Sequence, residues 1–166
     1  MKKYSRVIVA VVAVALTPFY LCAQAGGPRS SKPVLFVCEH GTVRSLLAKV
    51  LFEEYAAAVG LKMSAVSRGT RADSLVPPWM LQGLAADHVE LGFWRPQTLR
   101  PDDLTNAAYV VSFDLPAGAT AGSRGPRAYW DSLPSVSRDY AKGRDAIKVR
   151  VHQLVDSLKQ ASARRP

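Results

Sequence analysis

The sequence predicts a single α/β domain built around a parallel sheet. Three observations lead there. Short apolar runs rich in β-branched residues, notably Pro33 to Val37 and Ala107 to Phe113, have the profile of strands buried on both faces. Between and after them, apolar residues recur at helical spacing. The two patterns alternate along the chain, as they do when helices pack on the faces of a parallel sheet.

The 166 residues and 48% apolar content suit one domain with a sizeable core. Lys2, Lys3 and Arg6 precede an uncharged apolar run from Val7 to Leu16, and Ala23-Gln24-Ala25 offers small residues where a signal peptidase reads them. Residues 1–25 are therefore expected to be a secretory signal cut before Gly26, which makes the protein exported, periplasmic or secreted. The main rival is an N-terminal membrane anchor, but the run is short for a span and Pro18 interrupts its extension. A lipoprotein signal on Cys22 meets the bulky Leu21. Residues 26–32 read as a flexible leader and 33–166 as the domain, with no stable membrane insertion once the signal is cut.

Removing the signal deletes three cations and no acid, so the charge falls from +9 to +6. The excess is scattered, without a dense Lys/Arg tract, aromatic ladder or zinc-ligand spacing, so no nucleic-acid partner is expected. Cys38 becomes the sole cysteine, which forbids an internal disulfide and calls for a reason to keep a free thiol in an oxidising compartment.

The elements follow in order. After the strand ending at Val37, Leu47, Val50, Leu51, Tyr55 and Ala58 stripe a helix that begins near Ser45 and stops at Gly60. Met63 to Val66 reads as a second strand, followed by the loop Ser67-Arg68-Gly69-Thr70. Residues 77–89 suit a helix with prolines at its start and Met80 and Leu84 on one face. Asp102 and Asp103 mark another helix start before the strand at 107–113. Ile147, Val151, Leu154, Val155 and Leu158 stripe a last helix from Ser137 to about Ala161. Ligands gather where strand C-termini meet helix N-termini, so the loops after Val37, Val66 and Phe113 should open on one edge.

The first of these loops carries the chemistry. In VLFVCEHGTVRSLLAKVLF a strand passes through five residues, from Cys38 to Arg44, into a helix. So short a loop must curl, and a curl entering a helix turns free N–H groups toward one point, where an oxyanion such as phosphate or arsenate fits. The helix start and Arg44 both favour a thiolate at Cys38, and Arg44 can hold two oxygens bidentately. Glu39, His40, Gly41, Thr42, Val43 and Ser45 complete the cradle. Gly41 suits a position of positive φ, Glu39 should face solvent, and Ser45 can cap the helix or donate to the Cys38 sulfur.

These residues resemble the low-molecular-weight protein tyrosine phosphatases and the related arsenate reductases, whose signature is a Cys-x5-Arg-Ser loop after the first strand. The similarity continues in AVSRGT at 65–70, WRPQTL at 94–99, AAYVVSFD at 107–114 and around Trp130. The resemblance implies a four-stranded parallel sheet flanked by helices, flavodoxin-like in style, with Cys38 as nucleophile, Arg44 as phosphate clamp, and no metal or organic cofactor. It also implies a phosphorylated protein or small aryl phosphate as substrate, a cysteinyl-phosphate intermediate, and an aspartate from a late loop as general acid.

The family's Asp-Pro pair is missing here. Asp131 falls nearest the expected place, Asp139 is the second choice and Asp114 the third. The relay cysteines that thiol-coupled arsenate reductases carry near the strand at 107–113 have no counterpart, since Phe113-Asp114 stands there, and Val43 stands where some phosphatases hold a second loop cysteine, so arsenate reduction would require an external thiol. A non-catalytic oxyanion-binding module is the other alternative. Tyr129, Trp130 and Tyr140 are candidates to stack on an aryl group, and Trp79 and Trp94 are expected in the core.

Overall fold

The computed structural model describes residues 32–164. The expected signal segment, and the leader apart from Lys32, lie outside the described residues. The elements are β1 (Val34–Cys38), α1 (Arg44–Ala58), β2 (Ala65–Gly69), α2 (Pro78–Ala86), α3 (Pro101–Asn106), β3 (Tyr109–Ser112), a 3-10 turn (Ala117–Thr120), β4 (Arg127–Tyr129) and α4 (Tyr140–Ala163). The four strands form one parallel sheet in the order β2-β1-β3-β4.

Central β1 is buried along its whole length because both faces are covered. Its alternating side chains divide the core. Val34 and Phe36 join Leu47 and Phe52 of α1, Met80 and Leu84 of α2, and Ile147, Val151 and Val155 of α4. Leu35 and Val37 face a smaller layer with Leu104 of α3 and Val110. On the larger side Phe36, Phe113 and Trp130 pack mutually with ring centroids 5.5–6.5 Å apart. Burying a ring such as Phe36 contributes about 1.5–3 kcal/mol.

Several boundaries differ from those expected. β2 starts at Ala65 rather than Met63 and continues to Gly69, because the register with β1 extends to the pair Cys38 and Gly69. α2 ends at Ala86, where His88 adopts a φ of 60° and turns the chain. α4 starts at Tyr140 rather than Ser137, since the Asp139 side chain accepts from Lys142 N–H as the N-cap. Trp79 is 37% exposed, not core, whereas Trp94 packs against the main cluster. The strands end together, bringing the loops after Cys38, Gly69, Ser112 and Tyr129 to one edge.

Candidate active site

Cys38 is the last residue of the central strand and is 4% exposed, at the wall of a cavity of about 560 Å³. The loop folds back over its sulfur: Gly41 N–H lies 3.2 Å from Sγ and Ser45 Oγ lies 3.0 Å from it. The first intrahelical bond of α1 runs from Leu47 N–H to Val43 O. The N–H groups of Arg44, Ser45 and Leu46 therefore have no acceptor within their helix. This favours an anion beside the thiol.

Neighbouring backbone holds the loop rigidly from below. Thr70 N–H donates to Cys38 O (3.0 Å), Arg71 N–H to Glu39 O (2.8 Å) and Asp73 N–H to His40 O (3.1 Å). Gly41 has a φ of +73°, and a Cβ there would stand 2.7 Å from Gly69 N. Glycine is required twice over, for its conformation and for the close approach.

Ser45 takes the second of its two expected roles. Val43 is the N-cap residue, with no side-chain cap, and the Ser45 hydroxyl bonds Cys38 instead. Behind it the buried Ser67 hydroxyl lies 2.9 Å from Ser45 Oγ and 3.0 Å from Gly41 O. Each hydroxyl has one proton. When Ser45 donates to a thiolate, Ser67 can donate to Ser45.

Arg44 reaches over the cavity and pairs with Asp114. Asp114, at φ 46°, also accepts Ser132 N–H at 3.0 Å, and Ser132 is itself left-handed at φ 62°. In return Asp131 Oδ1 accepts Asp114 N–H at 2.8 Å. Two strained residues on different loops thus hold each other in place, and the shared carboxylate of Asp114 aims the arginine.

The cavity is lined by Cys38, Glu39, His40, Val43, Arg44, Asp73, Pro77, Asp114, Leu133 and Ser135 to Ser137. Of the expected cradle, Gly41, Thr42 and Ser45 stand behind it as support. Of the three expected acids, Asp114 lines it, Asp131 is turned to the Asp114 N–H, and Asp139 caps α4. The late loop offers the cavity Leu133, Val136 and two serines. Glu39 is 46% exposed at its side chain and pairs with Arg71.

Asp73 had not been singled out. Its Oδ1 lies 3.0 Å from His40 Nδ1 and its Oδ2 accepts the hydroxyl of buried Thr42 at 2.9 Å. Its only sequence signal was its place just beyond Ser67-Arg68-Gly69-Thr70, on a loop expected at this edge. None of the three candidate stacking aromatics lines the cavity. Trp130 is core, Tyr129 lies on β4, and the Tyr140 hydroxyl donates to Asp87 at 2.7 Å. Burial, then that bond to Asp87, pushes the Tyr140 phenol well above its ordinary range.

The family model described as low molecular weight phosphotyrosine protein phosphatase matches residues 33–124, more than half of the chain. The chain belongs to that family. Solved structures with this fold include the thioredoxin-dependent arsenate reductase of Corynebacterium glutamicum, with a TM-score of 0.65 at 22% identity, covering 81% of this chain and 65% of that one. An arsenate reductase from Archaeoglobus fulgidus gives a TM-score of 0.58 at 26% identity, over 74% and 98% of the two chains. The YwlE arginine phosphatase of Geobacillus stearothermophilus gives 0.66 at 16% identity, over 81% and 97%. The chain thus spans less than two thirds of the Corynebacterium protein and nearly all of the other two. No curated protein matches the sequence. Membership of this family supports cysteine-based phosphatase chemistry in general terms, and the Archaeoglobus arsenate reductase shares its fold.

Proposed function

We propose that this protein is a cysteine-dependent phosphatase that hydrolyses phosphotyrosine or another aryl phosphate monoester. The observation that carries this reading is the buried Cys38 sulfur, held by Gly41 N–H and the Ser45 hydroxyl beneath an arginine-topped cavity. Cys38 Sγ attacks phosphorus, the bond from phosphorus to the leaving oxygen breaks, and water then releases phosphate from the cysteinyl-phosphate. Arg44 and the free N–H groups of the first turn of α1 hold the oxygens whose charge changes. No cofactor enters this scheme.

The test is hydrolysis of p-nitrophenyl phosphate by the purified protein. Turnover should vanish in Cys38→Ser while circular dichroism stays unchanged; full activity in that variant would overturn the mechanism.

A second reading, an oxyanion-binding module without turnover, is favoured by the apolar and serine lining that the late loop contributes. It predicts phosphate or vanadate binding with no hydrolysis of any ester. Arsenate and phosphoarginine belong in the same assay panel, since arsenate reductases and an arginine phosphatase share the fold. Cys38 is the free cysteine among the described residues, so arsenate reduction would need an added thiol. Export of the mature chain is proposed on the sequence of residues 1–25 alone; an N-terminus at Gly26 in extracellular or periplasmic material checks it.

A further inference from the structure

Aryl phosphate hydrolysis needs a proton donor for the leaving oxygen, and the carboxylates at the cavity are poorly placed to serve. Asp114 accepts from Arg44 and from Ser132 N–H. Glu39 is paired with Arg71. Both oxygens of Asp73 are engaged, one with Thr42 and one with His40. Each of these carboxylates already accepts from a neighbouring donor. Asp131 and Asp139 spend their side chains on backbone N–H groups.

One group of the lining remains. His40 has 53% side-chain exposure and, with Cys38, is among the residues that line the cavity. Asp73 accepts at Nδ1, which orients the ring and leaves Nε2 as the nitrogen that gains and loses a proton. Nε2 lies 3.8 Å from Glu39 Oε2, beyond a hydrogen bond. The charged groups around this ring are Glu39 beside it, Asp73 from the loop after β2, Arg71 behind Glu39, and Cys38, Arg44 and Asp114 across the cavity.

We infer that His40, oriented by Asp73, is the general acid and base of this site. The inference rests on the phosphatase reading above. As the Cys38 sulfur bonds to phosphorus, the leaving oxygen departs with its electron pair and takes the proton from Nε2. Neutral Nε2 then removes a proton from the attacking water as the bond between sulfur and phosphorus breaks and the pair returns to Cys38. His40 ends protonated and Cys38 ends as thiolate, so the cycle closes without another reactant. Thr42 and Asp73 are positioning residues in this scheme, acting through His40.

The experiment compares p-nitrophenyl phosphate, whose leaving group needs little protonation, with phenyl phosphate, whose leaving group needs it, across pH. His40→Gln should lose about 10²-fold or more on phenyl phosphate and much less on the nitrophenyl ester. The alkaline fall of kcat/KM should disappear with it, while vanadate still binds. Asp73→Asn should show the same steepened leaving-group dependence in milder form. Equal losses on both esters, or a retained alkaline fall in His40→Gln that vanishes in Asp131→Asn or Asp139→Asn, would overturn the assignment. Failure of the wild type to hydrolyse either ester would instead overturn the phosphatase reading and this inference with it.

Discussion

The two loops that face each other across the cavity are built in opposite ways. The loop from Cys38 to Arg44 is held from within and below, by Ser45, Ser67 and three backbone bonds from residues 70 to 73. The loop from Asp131 to Asp139 turns its two carboxylates to backbone N–H groups and offers the cavity Leu133 and hydroxyls. An anion cradle is made from backbone and needs exact chain geometry, so its supports are numerous. Proton transfer needs one side chain at the right place, and another wall can supply it.

That contrast can be broken from either side. The largest effect is expected from Gly41→Ala. The new Cβ meets the backbone nitrogen of Gly69 at 2.7 Å in a left-handed conformation, and the strain should cost about 1–3 kcal/mol. A fall in thermal midpoint, with loss of vanadate binding, would report it. A variant of unchanged stability would mean that the cradle is looser than described.

The opposite loop should respond less. Asp131→Ala removes the acceptor of Asp114 N–H and should cost about 0.5–1.5 kcal/mol by chemical denaturation. Asp131→Asn keeps an oxygen in the same place and should cost less. A collapse of turnover in Asp131→Asn with stability intact would return the acid role to the late loop.

Local sequence made the cradle legible and left the late loop obscure. β1, the loop and α1 are contiguous, so apolar runs, Gly41 and the Cys38 to Arg44 spacing all sit in one stretch. The His40 to Asp73 pair joins residues 33 apart, and the Asp131 to Asp114 bond residues 17 apart. Neither contact leaves a periodic trace. β4 was not identified from its residues because Arg127–Tyr129 is three residues long and half-exposed, too short to show alternation. Asp131 stood in the expected stretch of sequence, but the left-handed turns at Asp114 and Ser132 direct its carboxylate to the backbone.

The central claim is that Cys38 carries the phosphoryl group during turnover. Rapid acid quenching of the purified protein with p-nitrophenyl phosphate, followed by peptide mass spectrometry, tests it most directly. The account predicts a phosphoryl adduct on the peptide containing Cys38, formed at the rate of the first nitrophenol release and absent in Cys38→Ser. Steady hydrolysis with the adduct on another residue, or persisting unchanged in Cys38→Ser, would contradict it.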